Sequence, residues 1–248
     1  DYGAAEPLYR RALEGYEQAL GEAHPDTLMS VSNLALLLSD RGDYEAAEPL
    51  YRRALEGYEQ ALGAAHPSTL GSVNNLALLL RGKGDYEAAE PLYRRALEGR
   101  EQALGEAHPD TLGSVNNLAL LLSDKGDYEA AEPLYRRALE GYEQALGAAH
   151  PSTVISAFYS AFNINRLGEP QKAAAVLRRY AYQSDEAMGM LGYNLACYEC
   201  LSGNETTAKD LLAEIIKKHP EKKEQALADE DFASIREFIK ALSTPLNE

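Results

Sequence analysis

The chain has 248 residues, with 24 Lys and Arg against 39 Asp and Glu, a formal net charge of −15 at pH 7. That balance argues against a nucleic-acid partner and against a polybasic grip on an anionic membrane, and no apolar run approaches the ~20 residues that span a bilayer. Hydrophobic residues at 45% suffice for a packed chain, and two cysteines cannot frame a disulfide scaffold, so a reducing cytoplasm is the expected compartment.

Asp-Tyr recurs at Asp1, Asp43, Asp85 and Asp127, a period of 42 residues. Residues 43–84 and 85–126 differ at five positions only: Tyr58/Arg100, Ala64/Glu106, Ser68/Asp110, Arg81/Ser123 and Gly82/Asp124. A period of this size signals a solenoid, a propeller or an array. Residues 1–20 are expected to form one helix without its partner, as in a piece that begins inside a repeat. In the next unit Ala47, Leu50, Tyr51, Ala54, Leu55, Tyr58 and Leu62 fall at helical spacing and predict a longer helix. His66-Pro67-Ser68-Thr69 supplies a boundary with first-turn residues. Leu70, Val73, Leu76, Ala77 and Leu80 then predict a shorter helix, closed by Gly84 before an Asp85 N-cap. Pro49 and its copies Pro7, Pro91 and Pro133 sit inside the longer helix, where proline costs about 3 kcal/mol. Either stacking outweighs that cost or the helix bends there.

From Val154 the identity between units fades while the hairpin logic continues. Residues 154–167 and 170–183 predict a fourth hairpin, and 185–202 and 205–219 a fifth, turning at Gly203-Asn204. The expected organisation is an array of 42-residue repeats over 1–168, divergent hairpins over 169–220, and a capping helix with its tail over 221–248. The charged residues of Ala226–Phe238 suit a solvated end of a stack.

These units resemble the tetratricopeptide repeat. Ala89, Tyr93 and Ala96 match the small-large-small positions of that family's second helix, Leu76 and Ala77 the close-packing pair of its first, and Gly84-Asp85-Tyr86 its tight turn. The period exceeds the family's usual 34 by eight residues, falling in Gly99–Ala107. Together with the "NNLALLL", "AEPLYRRALE" and "LGEAHPDT" segments, this longer form is similar to the kinesin light chain and nephrocystin-like type. The resemblance implies an all-α, right-handed superhelical solenoid of antiparallel helical hairpins.

No catalytic chemistry emerges from the residues. His24, His66, His108 and His150 recur one per repeat, and neighbouring hairpins lie about 10 Å apart, too far for shared metal ligation. Cys197 and Cys200 form a CxxC in mid-helix with no second pair, which suits buried small hydrophobes rather than a redox or zinc site. Carboxylates such as Glu45, Glu48, Glu56 and Glu59 belong to a hydrophilic outer face. There is no phosphate loop, no ordered triad and no HExxH. The expectation is a chain that is not an enzyme and takes no cofactor or metal.

The family's groove positions fall, on this sequence, at Asn33, Asn75, Asn117, Tyr159 and Asn194, with Ser32, Asn74, Asn116, Phe158 and Tyr193 beside them. One turn on come Leu36, Leu78, Leu120 and Phe162, then Ser39, Arg81 and Ser123. Asn is a mediocre helix former, yet here it recurs in mid-helix. An amide offers both a donor and an acceptor, so a row of them can hold the backbone of an extended peptide. The candidate peptide-binding residues are therefore Asn33, Asn74, Asn75, Asn116, Asn117, Phe158, Tyr159, Phe162, Tyr193, Asn194 and Arg81. Two readings stay open: the amides form an asparagine ladder for a peptide, or they bridge adjacent hairpins. The aromatics likewise suit either packing at the change of repeat length or a binding hot spot. The expected partner is a protein or peptide with a neutral or basic extended segment, with no nucleic acid and no membrane. Rival functions are a structural, self-associating or engineered array stacking end to end, and the sensor segment of a larger bacterial signalling protein.

Overall fold

A computed structural model of the chain describes residues 2–242; Asp1 and the end of the tail, 243–248, lie outside the described residues. The described residues are all-α, 84% helical, in repeated hairpin pairs. Longer helices α1 (Tyr2–Leu20), α3 (Tyr44–Leu62), α5 (Tyr86–Leu104) and α7 (Tyr128–Leu146) alternate with shorter helices α2 (Pro25–Asp40), α4 (Pro67–Gly82), α6 (Pro109–Asp124) and α8 (Pro151–Arg166). Then follow α9 (Pro170–Ala181), α10 (Asp185–Leu201), α11 (Glu205–Lys218), α12 (Lys222–Ala228), a 3-10 turn (Glu230–Ile235) and α13 (Arg236–Ala241). The chain forms two compact units, Asp1–Lys125 and Gly126–Glu248.

Two local turns set each hairpin. Between α3 and α4, Gly63 adopts φ 89° and ψ 162°, a region open essentially to glycine alone. Its carbonyl accepts the Thr69 hydroxyl at 2.8 Å, and the fully buried Thr69 is thereby satisfied. His66 Nδ1 accepts the Ser68 backbone N–H at 3.2 Å and so caps α4. The same cap recurs at His24, His108 and His150. The recurring histidine thus caps a helix rather than merely preceding a proline. Between α4 and α5, Gly84 at φ 80° lets its N–H reach Arg81 O at 2.9 Å and the Asp85 N–H reach Leu80 O at 2.9 Å. Asp85 Oδ1 then accepts the Ala88 N–H at 3.2 Å. Bonds of this kind satisfy backbone groups that every helix end leaves over.

The longer helices run unbroken through Pro49, Pro91 and Pro133. Pro49 is exposed, as is Glu45, whose carbonyl loses its usual donor, so water can take that place. Within the helices, Ala47, Ala54, Ala89 and Ala96 are wholly buried, letting Tyr51 and Tyr93 fill the space between hairpins. Gly57 and Gly99 permit the close approach of α3 to α2 and of α5 to α4: an added Cβ would stand 2.4 Å from a Leu28 methyl and 2.5 Å from a Leu70 methyl, respectively.

Across the first unit, ion pairs join each longer helix to the next, Arg53 to Glu17 at 2.7 Å and Arg95 to Glu59 at 2.5 Å. Glu48 is held by Lys83 at 2.7 Å and Arg52 at 2.8 Å, and Glu90 by Lys125 and Arg94, both at 2.7 Å. Hydrogen bonds from the lysines, then from the arginines, keep both carboxyls below the usual carboxylate range.

In the second unit Leu177, Leu191, Leu195, Leu212 and Phe232 form the buried centre. Glu199, 1% exposed, accepts Arg178 Nε at 3.0 Å and Asn204 Nδ2 at 2.8 Å. Buried Asn163 donates to the Tyr128 carbonyl at 2.9 Å, replacing the leucine that the other repeats bury here as Leu79 and Leu121. The C-terminal segment departs from a solvated cap: Phe232 is fully buried, and Asp229 and Asp231 are half-buried against α10.

Candidate peptide-binding face

The shorter helices of the first unit leave one stripe uncovered. On α2 it comprises Met29, Asn33, Leu36 and Asp40, all exposed and spaced three to four residues apart. On α4 it comprises half-buried Asn74 and Asn75 and exposed Leu78. On α6 it comprises half-buried Asn116, Asn117 and Leu120. A side chain at Gly71 would meet nothing within 4 Å, so the surface between these groups is open.

The amides are not equivalent. Asn117 Nδ2 donates to Asn74 Oδ1 at 3.0 Å, a bond from α6 to α4. In α2 the residue matching Asn74 is Ser32, whose hydroxyl turns back to Leu28 O at 3.0 Å. Asn75 therefore meets no amide on α2, and among the described residues neither Asn33 nor Asn75 has a side-chain hydrogen-bond partner. One rung bridges hairpins, and two amides keep donor and acceptor free.

Charge on this stripe is set by repeat divergence. Arg81 Nε donates to Asp124 Oδ2 at 2.5 Å, so two of the five positions that differ between repeats form an ion pair from α4 to α6. Arg81 is thereby neutralised. Asp40 stays exposed and adds to the desolvation that pushes the Tyr51 hydroxyl up to about 12.

The aromatics predicted alongside lie in the second unit. Tyr159 is half-buried and stacks on Tyr135 with ring centroids 6.3 Å apart. Phe158 meets the edge of Tyr159 at 5.3 Å, while Phe162 is exposed. Tyr193 packs on Phe232 at 5.5 Å and donates its hydroxyl to Asp229 Oδ2 at 3.0 Å. Half-buried Asn194 has no side-chain hydrogen-bond partner among the described residues, and with Tyr193 and Cys197 it lines a cavity of about 670 Å³. Asp229 and Asp231 close the same cavity. Nothing in their charged neighbourhood marks them as inward-facing; only the flanking Phe232 hints that the segment folds back. Both cysteines are buried free thiols, and burial, with Asp229 next in effect, raises the Cys197 thiol well above its usual range.

The tetratricopeptide repeat pattern matches residues 1–60, 68–144 and 110–181, and a second pattern of that family matches 32–103. Among solved structures, a Podosopora anserina protein described as a kinesin light chain with nearly identical TPR-like repeats is 23% identical, over 82% of this chain and 98% of its own, with a TM-score of 0.71. BtubC (BKLC) from P. vanneervenii is 18% identical over 100% of this chain and 96% of its own, with a TM-score of 0.75. YrrB, described as a TPR protein with an unusual peptide-binding site, is 19% identical over 86% of this chain and 92% of its own, with a TM-score of 0.52. No curated protein matches the chain. At these identities the structures share the fold.

Proposed function

The chain belongs to the tetratricopeptide repeat family, in its kinesin light chain-like form, and we propose that it is a non-enzymatic scaffold whose first unit binds an extended peptide. The family's general use in protein–protein interaction supports the coarse reading. The peptide reading rests chiefly on exposed Asn33 and half-buried Asn75, amides with no side-chain hydrogen bond among the described residues, beside exposed Leu36 and Leu78. An extended backbone would satisfy both ends of each amide, and the leucines would take alternate side chains. Asn117 and Asn74, bonded to each other, would brace the surface. Neutralised Arg81 and exposed Asp40, with the net charge of −15, favour a neutral or basic segment. The peptide-binding site described for YrrB is a precedent within the fold. A reducing cytoplasm would keep Cys197 and Cys200 as free thiols.

The test starts with peptides selected from a random display library on the intact chain. Replacing Asn33 and Asn75 together by Ala should weaken them at least about tenfold with an unchanged unfolding midpoint. Asn117→Ala should instead lower the midpoint, since Asn74 loses its partner. Selected peptides that bind the Asn33/Asn75 variant as well as the native chain would remove the mechanism.

A further inference from the structure

We infer that the cavity of the second unit receives the side chain of a lysine from a peptide partner. The cavity, of about 670 Å³, is open to solvent and lined by α10, α11, α12 and the 3-10 turn with its preceding Asp229. It lies within the 300–1,000 Å³ range of ligand sites. Met188 from α10 and Leu211 and Ile215 from α11 supply apolar wall. At one end the side-chain ligating atoms of Asp229, Asp231 and Cys197 lie within 4.8 Å of one another.

The two carboxylates are the decisive feature. Asp229 accepts the Tyr193 hydroxyl at 3.0 Å, the Asp231 backbone N–H at 3.1 Å and, more distantly, the Cys197 thiol at 3.9 Å, which fixes its position with neutral donors only. Among the described residues neither aspartate has an ion-pair partner. Half-buried like charges this close lose hydration and repel, so a cation entering between them gains on both counts. Desolvation, then the Asp229 charge, raises the Asp231 carboxyl, in keeping with that frustration.

The remaining charges narrow the occupant. Lys222 is drawn aside: its Nζ bonds Gln225 Oε1 at 2.9 Å and lies 5.6 Å from the centre of the Tyr193 ring. Asp185, Glu214, Lys218 and His219 also line the cavity, so with Asp229, Asp231 and Lys222 the lining carries four carboxylates against two ammonium groups. A bare metal ion would leave most of the volume and the whole apolar wall unused. An ammonium on a four-carbon stem uses both, its methylenes against Leu211 and Ile215 and its charge at the aspartates. The site shares no residue with the amide stripe of the first unit and does not depend on it.

The experiment titrates the isotope-labelled full chain with acetyl-Ala-Ala-Lys-Ala-Ala-amide and with its norleucine counterpart. The lysine probe should bind at least about tenfold more tightly, with backbone amide shifts concentrated within 188–231. Asp231→Asn should remove that advantage. Gly189→Leu should abolish binding, because Gly189 lines the cavity in mid-helix and its added Cβ meets nothing within 4 Å, so folding is spared. Equal affinity for the two probes, undiminished lysine binding in the Gly189→Leu variant, or shifts lying elsewhere would each overturn the assignment. So would binding of Zn²⁺ alone, lost in Cys197→Ser, by a chain that ignores the lysine probe.

Discussion

Gly63 and Gly71 stand eight residues apart, and replacing each by alanine should move stability in opposite directions. At neither site does the new methyl group meet another atom within 4 Å, so packing cannot account for a difference. Gly63 sits at φ 89° and ψ 162°, where an L side chain is strained by about 1–3 kcal/mol. Gly71 lies within α4, where alanine is preferred by roughly 0.8–1 kcal/mol. For a chain of this length each kcal/mol shifts the thermal midpoint by about 2–4 °C. Gly63→Ala should therefore lower the midpoint by about 2–12 °C and Gly71→Ala raise it by about 2–4 °C. Circular dichroism melts, repeated as urea titrations with an unchanged m value, read both. If Gly63→Ala is neutral, or both variants shift the same way, the backbone account of the turn fails.

Arg178→Ala should destabilise the second unit by on the order of 2 kcal/mol, because it leaves Glu199 buried with only Asn204 as a side-chain partner. The solvent around half-exposed Arg178 keeps the cost below that of a fully buried pair. Adding Glu199→Gln should recover part of the loss in urea titrations, and no recovery would assign the effect to packing. Acid should weaken the first unit through Glu48 and Glu90. Their folded-state values lie below the ordinary 4.5, so the folded state holds fewer protons. Their contribution is present above that value and fades as pH falls through the folded-state ones. Urea midpoints measured between pH 6 and 3 should fall, and Glu48→Gln with Glu90→Gln should flatten the decline; an unflattened curve would place the acid sensitivity elsewhere.

Much of the fold is legible because each repeat states it locally. Apolar spacing gives the helices, and Gly84-Asp85 gives a turn whose bonds lie within a few residues of it. The prolines were ambiguous because their cost depends on exposure, which spacing alone cannot supply; Pro49 is tolerated where water can replace the missing donor. Gly57 was opaque for a related reason: its role is the approach of Leu28 from another helix. The amide row was visible as a pattern, but which amides are free turns on a single neighbour, Asn74 opposite Asn117 and Ser32 where Asn75 would need its equal. Asp229 and Asp231 were least legible, since a charged run reads as solvated until the flanking Phe232 is seen to pull it inward.

The turn at Gly63, His66 and Thr69 closes its bonds within residues 59–70, and the longer-helix ion pairs repeat at sequence separations of 36. Excising or inserting one 42-residue cassette would thus leave the turns and the longer-helix ion pairs complete, while bonds between diverged positions, such as Arg81 with Asp124, would have to be remade. Gene slippage could lengthen or shorten such a chain without passing through a broken intermediate, and small exchanges like Arg81 with Asp124 would be the first marks by which one cassette comes to differ from the next.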